Sequence, residues 1–357
     1  MQHDLQWLFA PDGSPAQNQG RSSRLTLQPP ALSIQASARL LLCLLAAELV
    51  GCDQPFSPRA PFEQRLVIFS VLATNRNEQF VRVSTNYDVS GFDPNENTTD
   101  PGLKDATVSI LSEGKTYSLR DTVLPRTDSE RYKTPIICYV ASPFNVTYGK
   151  TYELQVVSPT LGTARASLTV PERSYVILGA AGEAYLDSPP PPGTPDQAIT
   201  IYGNFSKWAE GYVLRFFLKY EVLKATAWVA EELEVPTVHV VDSVAGIIQV
   251  RYPTLERVQG SQYAVAFMVG AYRWALKDIV ARHFPNQVIF KQARFQMTQL
   301  DENLYKYNKT VNSFEDKGSI RLDQPDFSNI SGAVGMFGAC AVDSVVHTFL
   351  PGFPVGR

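Results

Sequence analysis

The sequence has few of the residues that most often bind metals or act as nucleophiles. Its 357 residues include only four cysteines and four histidines. No two cysteines form a C-x-x-C pair, the usual start of a structural zinc site, and the H-E-x-x-H motif of zinc proteases is missing. The composition therefore argues against both kinds of zinc site.

Neither sign of charge is in excess. Lys and Arg number 32 and Asp and Glu number 35, which gives a formal net charge of −3. A surface that binds nucleic acid depends on clustered Lys and Arg side chains that neutralise phosphates. The balance argues against such a surface, and we expect no nucleic-acid partner.

The sequence also lacks a recognisable catalytic constellation. Two short segments contain the residue types of a hydrolytic triad, Asp343, Ser344 and His347 in one and His239, Asp242 and Ser243 in the other. A triad assembles in space, so closeness in sequence is no evidence for one. Neither serine lies in a G-x-S-x-G elbow. We predict that the protein is not an enzyme and needs no cofactor.

An uninterrupted apolar run near the N-terminus is too short to cross a membrane. Leu40–Ala47 is eight residues long, whereas a transmembrane helix needs about 20. A run of this length is typical of the hydrophobic region of a signal peptide. The alternative is a buried helix of an ordinary domain, but the run has no amphipathic period and ends abruptly at Gly51 and Pro55.

The four residues Leu49 to Cys52 resemble the lipobox of bacterial lipoproteins. In that signal a small residue precedes the cleaved bond, and the thiol of the following cysteine receives a diacylglycerol. Here the small residue is Gly51 and the thiol belongs to Cys52, whereas Cys43 follows a leucine. The resemblance implies cleavage after Gly51 and a membrane anchor on Cys52, so residues 1–51 are expected to be a leader and signal peptide.

The rest of the chain predicts a mostly β protein. Residues 52–61 form a Pro-rich tether that cannot pack as a helix or a central strand. Short alternating segments separated by Gly and Pro turns predict an immunoglobulin-like β-sandwich over 62–172. Residues 173–357 are expected to form a second β-rich domain with one or two short helices, including a long half-buried strand over 212–220.

Three further segments are assigned from local signals. Residues 272–284 have apolar positions at helical spacing and Pro285 just beyond. Residues 301–314 begin with Asp301, a good N-cap residue, and predict a short helix. The Pro-rich segment 185–197 is predicted to be a loop or linker.

The C-terminal part resembles a family of outer-membrane lipoproteins catalogued as domain of unknown function 4249. The matching motif has the form "L…Y.Y" followed by "P…NI.GG.G.FG", and Ala333 replaces one glycine of the pair. The residues that carry the motif are Leu304, Tyr305, Tyr307, Pro325, Asn329, Ile330, Gly332, Gly335, Phe337 and Gly338. "RFFLKYEV" in the second domain and "DATVSI" in the first agree with the same family.

The resemblance implies a mostly β protein that is lipid-anchored in the outer membrane, on its periplasmic or extracellular face. Genes of this family often lie beside TonB-dependent outer-membrane receptors that import nutrients, so such a receptor is a possible partner. The family has no established activity to transfer.

Some residues could form binding sites of their own. Oxygen ligands for Ca²⁺ alternate at Asp93, Asn95, Asn97 and Asp100, but the Gly and Glu of an EF-hand loop are missing, and the alternative is a solvated acidic loop. The glycine-rich tail at 332–338 lacks the helix and the basic residue of a phosphate cradle, which favours a tight loop and a final strand. Cys138 and Cys340 are expected to be buried free thiols.

The leading functional hypothesis is therefore a lipid-anchored accessory or binding protein of unknown ligand. Loops such as 91–102 and 185–197 are the expected binding elements. One alternative is a glycan-active hydrolase that uses two of Glu231, Glu232 and Glu234. Another is a structural or adhesive surface module.

Overall fold

The computed structural model describes residues 61–88, 93, 96–126, 132–191, 197–242, 247–312, 327–350 and 353. The chain divides into two units, Met1–Pro61 and Phe62–Arg357. The predicted lipobox with Gly51 and Cys52 lies outside the described residues, as do Asn95 of the possible calcium loop and Pro325 of the family motif.

The described chain is dominated by strands, which confirms the predicted mostly β fold. The strands of its first half are β1 (Leu66–Ala73), β2 (Gln79–Thr85), β3 (Thr107–Ser112), β4 (Lys115–Leu124), β5 (Ile136–Ala141), β6 (Thr151–Ser158), β7 (Gly162–Thr169) and β8 (Tyr175–Leu178). The later strands are β9 (Ala198–Asn204), β10 (Gly211–Lys224), β11 (Ala227–Val235), β12 (Val238–Asp242), β13 (Ile247–Arg251), β14 (Glu256–Arg257), β15 (Gln262–Met268), β16 (Val288–Leu300) and β17 (Val334–Thr348). The helices of the described part are α1 (Ala180–Asp187), α2 (Val269–His283) and α3 (Glu302–Asn312).

One hydrogen-bonded sheet connects most of these strands. Its order is β11-β10-β16-β17-β1-β2-β5-β4-β3-β6-β7, and β14 also pairs with β10. Two smaller sheets have the orders β12-β13 and β15-β9-β8. The β1–β17 pair is parallel, with Val67 opposite Val334 and Ala73 opposite Cys340, while the other strand pairs of the described chain are antiparallel.

The first half of the chain folds as a β-sandwich with its own core. Inward residues of β1, β2 and β5 pack against inward residues of β3, β6 and β7, because alternate side chains of a strand point to opposite faces. Ile68, Val81 and Tyr139 from one layer meet Ile110 and Leu154 from the other. The same cluster includes Phe337 and Ala339 from β17. Strand β17 therefore contributes to the core of the sandwich formed by the first half of the chain.

A second apolar core lies among β10, β16, the small sheet β15-β9-β8 and the helices α1 and α2. The alternation in β10 has the predicted direction, since Leu214, Phe216 and Leu218 are buried. Phe216 stacks on Phe295 of β16 with ring centroids 4.2 Å apart. Up to residue 172 the chain contributes to the first core, and from Leu178 it contributes mainly to the second. Strand β17 contributes to both cores. The domain boundary at 172/173 stays a prediction.

The two helices that were predicted are confirmed, and a third was missed. Asp301 accepts the backbone N–H of Leu304 through Oδ1 at 2.9 Å, which is the expected N-cap bond of α3. The predicted loop 185–197 was wrong at its beginning, because residues 185–187 complete α1. Leu186 is fully buried there, and Tyr272 donates a hydrogen bond to its carbonyl oxygen at 2.8 Å. This burial and bond stabilise the helix up to the prolines.

The glycine-rich tail forms a tight turn followed by the final strand, as predicted. Gly332 and Gly335 have positive φ values of 81° and 131°, a region that glycine adopts at little cost. At Gly335 an added Cβ would lie 1.9 Å from the carbonyl oxygen of Ile68. This glycine therefore allows β17 to approach β1 closely enough to pair with it.

The helices of the described part are all too short or too polar to cross a bilayer.

Candidate functional site

The turn between β1 and β2 borders an open groove of about 680 Å³, which we call the turn groove. Its lining is mostly polar and comprises Thr74, Asn75, Arg76, Asn77, Glu78, Phe80 and Asn145. Five of these residues are consecutive, so one short turn supplies most of the chemistry. Asn145 comes from the connection between β5 and β6.

A buried glutamine fixes the shape of this turn. Gln79 is only 1 % exposed, and its Oε1 accepts the N–H of Ala73 at 3.0 Å. Its Nε2 donates to the carbonyl oxygens of Ala73 and Arg76, both at 3.1 Å, and to that of Phe144 at 3.4 Å. A single side chain thus ties both walls of the turn groove together and satisfies backbone groups that would otherwise be unpaired.

The turn is also fastened to its neighbours. Thr74 donates its backbone N–H to the carbonyl oxygen of Cys340 at 3.2 Å, and its Oγ1 accepts the N–H of Val342 at 2.9 Å. The Ser142 hydroxyl donates to Oε1 of Glu78 at 2.8 Å. The turn groove is therefore held in shape by β17 and by the β5–β6 connection.

A second, apolar groove of about 380 Å³ adjoins the first, and we call it the apolar trough. Arg76, Glu78 and Phe80 line both grooves. The trough lies on the outer face of β17, β1, β2, β5 and β4. Its apolar lining is formed by Phe69, Val71, Phe80, Leu124, Ile136 and Met336.

The charged groups at the two grooves differ in how they are paired. Arg82 lies 3.0 Å from Oδ2 of Asp100, and Arg126 also forms an ion pair with this oxygen. Glu78 accepts the bond from Ser142 described above. The guanidinium of Arg76 has no hydrogen-bond or ion-pair partner in the described chain. Among the arginines that line the two grooves, Arg76 is thus the one without an ion-pair partner in the described chain.

A third groove, of about 570 Å³, lies over the outer face of β3, β6 and β7. Ser109, Glu153 and Gln155 line it together with Arg165 and Ser331. Arg165 and Ser331 exchange backbone hydrogen bonds at 2.9 and 2.8 Å. This groove shares no lining residue with the turn groove or the trough.

The possible calcium loop is only partly described. Asp100 is 6 % exposed, and its Oδ2 is shared by Arg82 and Arg126 while its Oδ1 accepts the N–H of Gly102 at 2.9 Å. Both oxygens are therefore already engaged. Asp93 and Asn97 are at least partly exposed, and the described residues contain no group of three His, Cys, Asp or Glu that could hold a metal.

The family-motif residues hold α3 and β17 in place. Asn329 donates through Nδ2 to the carbonyl oxygen of Phe337 at 2.7 Å and accepts its N–H at 2.9 Å. The Tyr305 ring packs so closely on Gly211 that an added Cβ would lie 2.2 Å from it, and Gly338 lies against Leu304. Tyr307 contacts Phe69 at a ring separation of 5.7 Å. In the structure, these residues act in packing.

The glutamates of the hydrolase alternative are in ion pairs. Glu232 and Glu234 share the outer face of β11 and bind Arg294 and Arg215. Glu231 points to the opposite face and lies 3.3 Å from Nε2 of His283. Lys224, 2.6 Å away, lowers the pKa of Glu231. None of the three lines the grooves described above.

The two possible triads are not assembled by the described residues. Ser344 faces the opposite side of β17 from Asp343 and His347, because strand residues alternate. His347 binds Asp187 at 2.7 Å. His239 stacks on Trp274 with ring centroids 4.2 Å apart. The side chain of Asp242 and the whole of Ser243 lie outside the described residues.

The two cysteines of the body are free thiols, as expected. In the sheet, β1 and β2 separate β17 with Cys340 from β5 with Cys138. Three strand spacings amount to about 14 Å, about twice the Cα separation that a disulfide spans. Burial raises the pKa of both thiols, that of Cys340 to about 11, so neither is a reactive thiolate at neutral pH.

Sequence reasoning missed the turn groove. Its signal was the run "TNRNE" between two predicted strands, in which polar residues and asparagines mark an exposed turn. The adjoining trough has no local signal, because its residues come from five strands that are distant in sequence. The expected binding loops 91–102 and 185–197 do not line either groove with their described residues.

The family assignment is confirmed by comparison with family models. The model of the family described as domain of unknown function DUF4249 matches residues 53–345. The match spans most of the 357 residues, and the chain belongs to this family. The comparison with curated proteins gave no match.

Proposed function

We propose that this member of the DUF4249 family is a lipid-anchored accessory protein of the outer membrane that binds a ligand in the turn groove and the apolar trough. The proposal includes a TonB-dependent receptor as the partner that takes up the ligand. It has three parts, the anchor, the binding site and the receptor, and each part can be tested separately.

Two sequence observations support the anchor. The Leu-Val-Gly-Cys segment ends at Cys52, and the family match begins at residue 53, directly after it. Pro55, Pro58 and Pro61 follow, a composition that favours neither a helix nor a central strand and supports the predicted tether. Acyl chains on Cys52 contribute about 0.8 kcal/mol per buried methylene, so two or three chains suffice for stable anchoring without a spanning helix.

The observation that carries the binding part is the guanidinium of Arg76, which has no ion-pair partner among the described residues and lies on a hydrogen-bonded turn beside an apolar trough. Ligand sites typically combine an apolar lining with a few well-placed polar groups, within about 300–1,000 Å³. The two grooves, of about 680 and 380 Å³, fall in this range. Gln79 holds the turn in place before any ligand arrives, which lowers the entropic cost of binding.

The anchor is tested by labelling cells with a palmitate analogue. We expect the wild type and Cys43→Ala to carry the label and Cys52→Ala to lose it, because Cys43 precedes the cleavage site. Protease treatment of intact cells then reports which face of the membrane the body occupies. A labelled Cys52→Ala protein, or a natural N-terminus other than residue 52, would overturn the anchor.

The receptor is tested by cross-linking in intact cells, followed by purification of the lipidated protein and mass spectrometry. Recovery of one TonB-dependent receptor with the wild type but not with the unanchored Cys52→Ala protein supports the partnership. A wild-type sample that repeatedly lacks any such receptor contradicts it without affecting the anchor.

A further inference from the structure

The turn groove and the apolar trough together form an amphipathic site with a cation at the junction. Arg76 and Phe80 line both grooves, so the guanidinium lies where the polar half meets the apolar half. Three arginines and two carboxylates line these grooves or belong to the ion-pair network of a lining residue, namely Arg76, Arg82, Arg126, Glu78 and Asp100. This excess of positive charge favours an anionic group on the ligand.

The partners of the other charged residues identify where the anion binds. Asp100 already forms ion pairs with Arg82 and Arg126, as described above. Glu78 is held by the Ser142 hydroxyl at 2.8 Å. Arg76 therefore remains as the lining arginine with no ion-pair partner among the described residues. A guanidinium matches the two oxygens of a carboxylate in a bidentate geometry. The side-chain amides of Asn75 and Asn77 line the same groove and offer further N–H donors.

The trough determines what is attached to the carboxylate. Its strands β1, β2 and β5 each have a hydrogen-bonded neighbour on both sides, so no free edge is available to the backbone of a bound peptide. The Ser70 hydroxyl in the trough already donates to the carbonyl oxygen of Phe80 at 2.9 Å. Peptide N–H and C=O groups would therefore lose water here without replacement bonds, at a cost for each group. A hydrocarbon chain has no such groups.

We propose that the site binds a monocarboxylate with an extended apolar chain, its carboxylate on Arg76 and its chain in the trough over Val71, Phe80 and Ile136. This inference deepens the proposed binding function and rests on it, because it assumes that these two grooves are the binding site. It is independent of the lipid anchor.

The test is a chain-length series of straight-chain carboxylates, from butanoate to decanoate, measured by isothermal titration calorimetry below their micelle concentrations. The protein is the full chain with Cys52→Ala, which carries no acyl group that could enter the trough. Because buried methylenes contribute about 0.8 kcal/mol each, we expect affinity to rise by up to about 15-fold for every two methylenes until the trough is filled. Failure of decanoate to bind at 1 mM would overturn the proposal.

Two variants separate the carboxylate from the chain. Arg76→Gln should weaken decanoate binding by about tenfold or more and leave decan-1-ol unchanged, since only the charge-assisted bond is removed. Val71→Asp, on the exposed side of β1, should weaken both ligands. Arg165→Gln, in the third groove, is the matched control and should change neither. Equal decanoate affinities of Arg76→Gln and Arg165→Gln would overturn the assignment of the carboxylate to Arg76.

The outcomes also distinguish this inference from the proposed function. If a hydrophobic tetrapeptide with a free C-terminus binds more tightly than decanoate, the site is a peptide site and the hydrocarbon assignment is wrong. If palmitate labelling fails while decanoate binds, the anchor is wrong and the ligand class stands.

Discussion

The carboxylate of Asp343 on β17 accepts the backbone N–H of Ser174 at 3.0 Å. Asp343 is 7 % exposed and also accepts bonds from the Ser174 hydroxyl at 3.2 Å and from Arg173 Nε at 3.3 Å. The hydroxyl of Tyr148 lies 3.4 Å from Oδ1 of Asp343. One aspartate therefore fastens the segment between β7 and β8 to the last strand.

Asp343→Ala should destabilise the protein by about 3 kcal/mol, because it leaves the buried N–H and hydroxyl of Ser174 without this acceptor. Ser344→Ala, on the exposed face of the same strand, is the control and should stay within about 0.5 kcal/mol of the wild type. Urea unfolding followed by circular dichroism measures both. Coincident midpoints of the two variants would contradict the role of Asp343.

Asp301 should make stability depend on pH. Burial raises its pKa to about 6, against the opposing effect of bonds from the N–H groups of Ala339 and Leu304. The folded state therefore binds this proton more tightly than the unfolded state, so the stabilisation is complete below about pH 4 and is lost as pH rises through about 6.

Asp301→Asn should remove that dependence while keeping an oxygen acceptor for the cap of α3. We expect the stability of the variant relative to the wild type to rise by about 2 kcal/mol between pH 4 and pH 7. Unfolding free energies at four pH values in this range check it. Parallel profiles of the two proteins would show that Asp301 titrates as it does in the unfolded chain.

A methyl group should be tolerated far less at Gly335 than at another glycine of positive φ. At Gly335 the new Cβ would meet the backbone of Ile68, so Gly335→Ala should cost more than about 4 kcal/mol. Gly260 has φ of 71° and open space around it, so Gly260→Ala should cost about 1–2 kcal/mol. Thermal unfolding compares them, and similar melting temperatures would refute the close approach of β17 to β1.

The thiols of Cys138 and Cys340 should react slowly with Ellman's reagent at pH 8. Burial raises the pKa of each thiol, so the thiolate fraction is small and access is limited. Unfolding in urea should expose both and give rapid, complete reaction. The protein for this test carries Cys43→Ala and Cys52→Ala, so that only these two thiols remain. Fast labelling of its native state, or a mass two daltons low without reductant, is the result that would speak against free thiols of low accessibility.

Local patterns predicted those elements whose partners are nearby in sequence. Alternation identified the buried face of β10, and the N-cap preference of Asp301 identified α3, because both depend on periodicity and backbone bonds within a few residues. The beginning of the predicted loop 185–197 was wrong, because residues 185–187 belong to α1. Leu186 is helical because it is buried against residues that lie far away in the chain.

The candidate site was less predictable than the fold. In the sequence, Gln79 looks like an ordinary polar strand residue, yet it also bonds to the carbonyl oxygen of Phe144 in the distant β5–β6 connection. The apolar trough requires the parallel pairing of β1 with β17, which joins opposite ends of the body. Pairing at such separation carries a loop-closure cost that local propensities do not encode.

The position of β17 between β1 and β16 has a consequence for biogenesis. Both neighbours are made earlier by the ribosome, and each has an unsatisfied edge until the last strand arrives. A chain that stops before Val334 therefore cannot complete either core, and premature termination or C-terminal proteolysis should yield aggregation-prone products rather than a shorter working form. Folding of this protein thus cannot finish until β17 has been synthesised.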